Sequence, residues 1–410
     1  MRILLLTQWF DPEPTFKGLL FARKLQQLGH EVEVITGFPN YPGGKLYPGF
    51  RQTWRSRENI EGIVVTRVPL YPSHDGSAVK RLLNYFSFAL TSCLYGIFGA
   101  KKADVIYVYH PPMTVGLSGA LIGLFRNTPF VYDIQDLWPD TLRATGMIGN
   151  ERALSVVSSV CNWIYRRASH VVVLSPGFRK LLIERGVSDS KMSVIYNWCD
   201  ETSLQIPEHT GVDLSFMDGR FNVVFAGNMG KAQALNIVID AAKIVVSQNA
   251  QVQFVFVGGG IEVDNLKKMS AELALQNVRF LPRMQMNEVG AVLAKADALL
   301  VHLKDDPLFE ITIPSKTQAY LAVGKPILMA VGGDAADLVL RADAGIAVKP
   351  ENADSLADGV LQMAKLPVER RETMGKNATE FYARELSLDV GVERFMKVFN
   401  QVIARKNTLN

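Results

Sequence analysis

The feature that most constrains this chain is an alternation of strand-like and helix-like stretches that runs through it twice. Arg2 to Thr7 is short and apolar, and a loop with Gly and Pro, Trp9 to Gly18, follows it. An amphipathic stretch, Leu19 to Leu28, then stops at Gly29 and gives way to Glu31–Thr36, strand-like again. Strand, loop, helix, strand is the repeating unit of a parallel sheet covered by helices. The spacing predicts further strands at 62–68, 105–109, 130–133 and 170–174. Between Cys199 and Arg220 the periodicity stops, and Pro207, Gly211 and Asp218-Gly219 mark a linker. Beyond it the pattern restarts, with strands expected at 222–226, 253–257, 278–281, 298–301 and 326–330. Helices are expected between them at 232–248, 262–275, 287–295 and 315–323. The expected architecture is α/β, two Rossmann-like domains facing a central cleft, split as 1–205 and 206–384. The terminal helical stretch, about 385–410, packs back on the first domain.

Composition narrows the class. Of 410 residues 48% are apolar and 20% charged, which excludes disorder, collagen and coiled coil. The formal charge is only +4, too small for a nucleic-acid binder. Residues 1–200 nevertheless hold 22 Lys and Arg against 15 Asp and Glu, so the first half suits anionic partners or a membrane surface, unless this is ordinary scatter. Cys93, Cys161 and Cys199 form no Cys-x-x-Cys pair, as expected of a reducing compartment. The apolar run after Arg2 is too short for a signal peptide.

Lys80-Arg81 and Lys101-Lys102 bracket an uncharged stretch, Leu82 to Ala100. As a helix it would be about 28 Å long, yet Asn84, Ser87 and Thr91 share a stripe, and a soluble-type strand follows. Two readings stay open: a helix buried in the first domain, or one lying in the headgroup layer. Arg51, Arg55, Arg57 and Arg67 favour the second, unless each is simply a solvated face.

Three stretches carry candidate chemistry. Gly227-Asn228-Met229-Gly230-Lys231 follows a strand and precedes a helix, so its backbone could approach a phosphate, as could Gly258-Gly259-Gly260 after the next strand. Neither fits the dinucleotide fingerprint Gly-x-Gly-x-x-Gly, which disfavours a nicotinamide enzyme. Pro314-Ser315-Lys316 opens a helix that Gly324 closes. A lysine at the positive end of a helix dipole is unfavourable unless an anion is expected there. In the first half, Gln135, Asp136 and Trp138 follow a strand, and His110 ends another; carboxylate and indole there could bind a sugar, or His110 could be structural. Asp305-Asp306 and Asp133/Asp136 lack partners at ligand spacing, so no metal is expected.

With these residues laid out, the chain resembles glycosyltransferase family 4, retaining enzymes of the GT-B fold. The resemblance runs almost end to end, through the Gly18 loop, Leu28-Gly29-His30-Glu31-Val32, the Gly227 turn, Gly258-Gly259-Gly260 and Pro314-Ser315-Lys316 to Gly324-Lys325-Pro326. Phe38-Pro39-Asn40-Tyr41-Pro42-Gly43, Asp136-Leu137-Trp138-Pro139 and Phe280-Leu281-Pro282-Arg283-Met284 are similar to the WbuB-like subgroup of O-antigen and capsule enzymes, which transfer N-acetyl-L-fucosamine. The resemblance implies a UDP-sugar donor against the second domain, a polyprenyl-diphosphate-linked glycan acceptor against the first, and neither metal nor other cofactor. It implies an anionic membrane surface as partner, no nucleic acid, and a cytoplasmic location, peripheral or monotopic, on the inner face of the bacterial inner membrane. Donor contacts then fall to Gly18, Asn228, Lys231, Gly258, Gly259, Arg283, Pro314, Ser315 and Gln318, and acceptor contacts to His110 and Trp138. Lys316, with Lys231 and Arg283, would neutralise the departing diphosphate, Glu310 would face the sugar cation, and Gln135 and Asp136 would orient sugar and acceptor. The family's Glu-x7-Glu motif is incomplete: from Glu310 it gives Gln318, and counting from Gly324-Lys325-Pro326 puts Ala319 at the second Glu. Asn228 stands where the family carries Arg. The alternatives are a GT-B UDP-sugar 2-epimerase and a non-catalytic glycan- or lipid-binding protein.

Overall fold

The computed structural model describes residues 1–73, 77–144, 147–202, 204 and 212–409. These divide into two compact units, residues 1–196 with 388–410, and residues 197–387. The boundary read from the sequence at 205/206, with Pro207 and Gly211, lies outside the described residues.

The first unit is built on an eight-stranded sheet: β1 (Arg2–Thr7), β2 (Glu31–Gly37), β3 (Ser56–Ile60), β4 (Ile63–Val68), β5 (Val105–Tyr109), β6 (Phe130–Ile134), β7 (His170–Val173) and β8 (Met192–Val194). Its order is β3-β4-β2-β1-β5-β6-β7-β8, parallel apart from the β3–β4 hairpin. Helices α1 (Leu19–Gln27), α2 (Ala78–Phe98), α3 (Met113–Arg126), α4 (Asp140–Ala144), α5 (Glu151–Arg167) and α6 (Pro176–Glu184) connect the strands. The inner strands are buried along their whole length, β5 and β6 in every residue, as expected when helices cover both faces.

The second unit carries six parallel strands: β9 (Phe221–Asn228), β10 (Val252–Gly259), β11 (Val278–Leu281), β12 (Ala298–His302), β13 (Ile327–Ala330) and β14 (Gly345–Ala347), ordered β11-β10-β9-β12-β13-β14. Its helices are α7 (Leu235–Gln248), α8 (Val263–Glu272), α9 (Met286–Lys295), α10 (Pro307–Glu310), α11 (Ser315–Val323), α12 (Asp334–Arg341), α13 (Ala353–Lys365) and α14 (Val368–Glu385). The last helix, α15 (Leu388–Leu409), belongs to the first unit, where Phe395 packs edge-on against Phe21 and Tyr107.

In both sheets the strand order reverses beside the first strand of the unit. β1 lies between β2 and β5, and β9 between β10 and β12. Connections leave such a switch point in opposite directions, opening a crevice at the carboxyl edge where open α/β sheets take their ligands.

Candidate functional site

In the second unit the carboxyl edge is made by backbone pressed on backbone. Gly227 pairs with Gly258 and Asn228 with Gly259. A Cβ on Gly258 would collide with the Gly227 carbonyl oxygen, and one on Gly260 with the backbone of Met229. Both glycines hold positive φ, +132° and +153°, so no other residue fits. Gly259, the other expected donor contact in this turn, has open space at its Cβ position. Asn228 is exposed at the strand end, and the chain turns through Gly230, whose N–H reaches Gln233 Oε1 at 3.0 Å, to a 3-10 turn that begins at an exposed Lys231. Arg283 is exposed in the loop after β11.

Lys316 sits in the first turn of α11, behind Pro314 and an exposed Ser315. Its Nζ is buried, lies 3.5 Å from the centroid of the Phe225 ring and has no hydrogen-bond partner among the described residues. The same nitrogen is 3.6 Å from where a Cβ on Gly227 would stand. Burial pulls its pKa down from 10.5 to about 7. One turn on, Tyr320 ties α11 to β9: the Ala226 N–H donates to its hydroxyl at 2.8 Å. His302 ends β12, fully buried; its Nδ1 donates to the Gln233 carbonyl at 2.7 Å, and Nε2 has no partner among the described residues. Burial lowers its pKa, opposed by the hydrogen bond to Gln233 and the Glu351 charge, with the Lys316 charge a smaller lowering influence. Two polar nitrogens without partners thus lie where β9 and β12 diverge, and orphaned buried groups in a crevice ask for a ligand.

Glu310 is exposed at the end of α10, its carbonyl held against a tight turn at Gly332-Gly333. A Cβ on Gly332 would stand 3.8 Å from Glu310 Oε1. Gln318 departs from the expectation of a donor contact. It is buried, and its amide, oriented to suit its surroundings, donates to the carbonyls of Pro314 and Ser315 at 2.9 Å, so its polar atoms serve its own helix.

In the first unit, Asp133 at the end of β6 gathers the buried polar groups. Its Oδ2 accepts from Lys17 Nζ and the Tyr107 hydroxyl, both at 2.6 Å, and its Oδ1 from Gln135 Nε2 at 2.7 Å. Burial lowers the Lys17 pKa, opposed by the Asp133 charge. Gln135, expected to orient sugar, thus spends one amide hydrogen on Asp133. His110 is fully buried, and its Nδ1 faces the N–H groups of Gln135 and Asp136 at 3.4 and 3.3 Å. Burial holds its pKa down at about 3, so the ring is neutral and Nε2 carries the proton. Asp136 is half-buried and desolvated, with its pKa raised to about 6.

Three expectations change here. Trp138 is 5% exposed and packed on Tyr85 and His110, so its face is covered by protein instead of presented to a sugar. Gly18 begins α1, but the Asp11 carboxylate already accepts the Leu19 N–H at 2.6 Å and fills that helix N-terminus. Arg67, counted with the surface cations, is buried, with its guanidinium on Glu58 and on the carbonyls of Gly37 and Asp11.

Sequence reasoning missed an aromatic pair at this edge. Trp9 and Tyr41 stack at 4.3 Å, half-buried. Glu13 positions their loops: 2% exposed, it accepts the N–H groups of Asn40 at 2.7 Å and Tyr41 at 2.8 Å, and burial raises its pKa to about 7. A lone Glu in a Pro-rich loop gives no sequence signal of this.

Comparison with known proteins identifies the family and the fold. Residues 19–198 match the glycosyl transferase 4-like domain, and residues 213–381 the glycosyl transferases group 1. WcaI of Escherichia coli, a glycosyl transferase assigned to colanic acid biosynthesis, is 28% identical over 384 residues, covering 90% of this chain and 93% of its own. The Pseudomonas aeruginosa glycosyltransferase WbjE is 24% identical over 311 residues, 73% of this chain and 76% of its own. The Anabaena protein HepE, solved with UDP, superposes with a TM-score of 0.70 at 17% identity, covering 98% and 100% of the two chains. A trehalose 6-phosphate synthase from Burkholderia multivorans gives 0.74 at 12%, covering 100% and 98%. With both halves matched in order, the chain belongs to the GT-B glycosyltransferases, in the group of family 4 and group 1 enzymes.

Proposed function

We propose that this protein moves a sugar from a UDP-sugar to a hydroxyl of a polyprenyl-diphosphate-linked glycan during synthesis of a bacterial surface polysaccharide, with retention of anomeric configuration. N-acetyl-L-fucosamine is the donor sugar that the motif resemblance suggests. The protein works at the inner face of the inner membrane, peripheral or monotopic, with no metal or cofactor. Support comes from WcaI, assigned to colanic acid synthesis, and from HepE, solved with UDP and with UDP-glucose.

The observation that carries the reading is the unpartnered Lys316 ammonium beside the Gly227 strand end. Loss of UDP builds negative charge on the diphosphate, and preorganised cations and helix N–H groups lower that barrier. Lys316 supplies the buried charge; Lys231 and Arg283 are exposed cations at the same carboxyl edge of the sheet, and Ser315 and the α11 amides add donors. Glu310 faces the developing sugar cation, Asn228, Gly258 and Gly259 border the nucleotide, and Asp136 with Gln135 orients the acceptor beside His110.

A panel of UDP-sugars assayed for UDP release, with and without a lipid-linked glycan, tests this. Release that needs the acceptor supports transfer. Sugar isomers formed without acceptor, or no turnover with any pair, overturn it.

A further inference from the structure

The exposed face of α2 is apolar from end to end. Val79, Leu83, Phe86, Leu90, Leu94 and Phe98 stand 37% to 81% exposed, and their spacing puts them on one side of the helix. The opposite side packs inward through Tyr85, Phe88, Ser92 and Tyr95. Leu124 and Phe125, 52% and 68% exposed, extend the face where α3 ends beside α2: Arg126 donates to the carbonyls of Ile97 and Ala100 there, at 2.9 and 2.8 Å. An apolar face of this length is far beyond the scattered exposed residues of an ordinary surface.

Cations mark both ends. Lys101 and Lys102 are exposed beyond Phe98; the nearby carboxylates are already used, Asp104 by the Arg2 backbone N–H and Glu31 by the Arg2 side chain. At the other end are Lys80 and Arg81. Beside the middle of the helix the exposed segment Arg51, Trp54 and Arg55 is pinned by Gln52 Oε1, which accepts the Leu70 N–H at 2.8 Å, and the neighbouring Tyr71 N–H reaches Ser87 of α2 at 2.8 Å. Trp54 is 63% exposed and Tyr71 44%. Apolar stripe, basic ends and exposed Trp and Tyr make the pattern of a helix lying in a headgroup layer. No helix among the described residues is long and apolar enough to cross a membrane.

We infer that α2, with the end of α3 and the Arg51–Arg55 segment, is the surface by which this protein lies on an anionic bilayer, its stripe buried among the acyl chains and its cations on lipid phosphates. The inference rests on the membrane-surface reading above and is independent of which sugar is transferred. The charge pattern selects lipid over a second copy of the chain, since a self-complementary contact would bring like cations together.

Cosedimentation of the full chain with phosphatidylethanolamine–phosphatidylglycerol vesicles, against pure phosphatidylcholine, tests it. The wild type should bind the anionic vesicles, more weakly as salt rises. The triple change Leu83→Glu, Phe86→Glu, Leu90→Glu should abolish pelleting. Lys101→Glu with Lys102→Glu should weaken it by roughly fivefold per charge lost, about 1 kcal/mol each. Acceptor-dependent UDP release with a water-soluble acceptor, and the melting temperature, should stay near wild type in both variants. Wild-type protein left in the supernatant, or a triple variant that pellets as well as wild type, overturns the inference. So does a dimer in solution that the triple change dissociates without any effect on lipid binding. Failure of every UDP-sugar to turn over would sink the transferase reading and leave the vesicle result standing.

Discussion

Exchanging Lys316 for methionine separates what this residue costs the fold from what it contributes to ligand binding. The ammonium is buried on the Phe225 ring with no hydrogen bond among the described residues, and its pKa falls to about 7. Once unfolded, the amine recovers its ordinary value of 10.5. Between pH 7 and pH 10.5 the unfolded chain therefore holds more protons than the native one, and stability attributable to this group rises with pH. At about 1.36 kcal/mol per pH unit, the lysine withholds on the order of 4 kcal/mol at pH 7 and close to none near pH 10.5. Methionine keeps the unbranched stem over the ring without the charge. Lys316→Met should therefore raise the unfolding free energy by about 2–4 kcal/mol at pH 7 in urea titrations, with the gain shrinking as pH approaches 10. The same variant should bind UDP about 10- to 150-fold more weakly, the loss of one charge-assisted hydrogen bond of about 1.5–3 kcal/mol. A variant that is less stable than wild type at pH 7, or that binds UDP undiminished, refutes the reasoning.

Gly258→Ala should cost about 3 kcal/mol or more in thermal unfolding, since its methyl would meet the Gly227 carbonyl oxygen at a positive φ. Glu13→Ala should destabilise by about 2 kcal/mol or more by orphaning the Asn40 and Tyr41 N–H groups, and Glu13→Gln, which keeps an acceptor oxygen, should recover most of that. Asp136 has its pKa raised to about 6, so an activity that uses its carboxylate should fall as pH drops through 6. Asp136→Asn should remove that limb and reduce acceptor-dependent UDP release by roughly tenfold or more. Trp9→Ala should raise the acceptor KM by roughly tenfold while leaving UDP affinity near wild type, if the stacked Trp9–Tyr41 pair receives the acceptor sugar.

Buried parallel strands are the easiest elements to read, because both their faces are apolar and because β9 and β10 also end in glycine; β1, β5, β9 and β10 stand within two residues of the expected limits. The antiparallel β3 escaped notice because its sequence, Ser56–Ile60, alternates polar residues on a half-exposed edge. β8 and β14, three residues each, are too short to show a period. The 3-10 turn at Lys231–Gln233 took the first residues of the expected helix, so α7 starts at Leu235.

At the site, sequence could propose Lys316 from its place beside Pro314, because helix-dipole physics needs only the order of residues. It could not show that Lys316 lies on Phe225 or that His302 would be orphaned beside it, since both depend on how α11 and β12 pack against β9. Trp138 and Gln318 misled for the same reason: each has the chemistry of a ligand contact, and tertiary packing turned both inward. The charge of Arg67 was visible in the sequence, but not its burial against three partners.

A crystal structure of this protein grown with UDP tests the central claim most directly. The account predicts the pyrophosphate at the carboxyl edge of β9 and β10, against the first turn of α11, with Lys316 Nζ swung from Phe225 to within about 3 Å of a phosphate oxygen. A nucleotide bound away from that edge, or a Lys316 still seated on the ring with UDP in place, would contradict it.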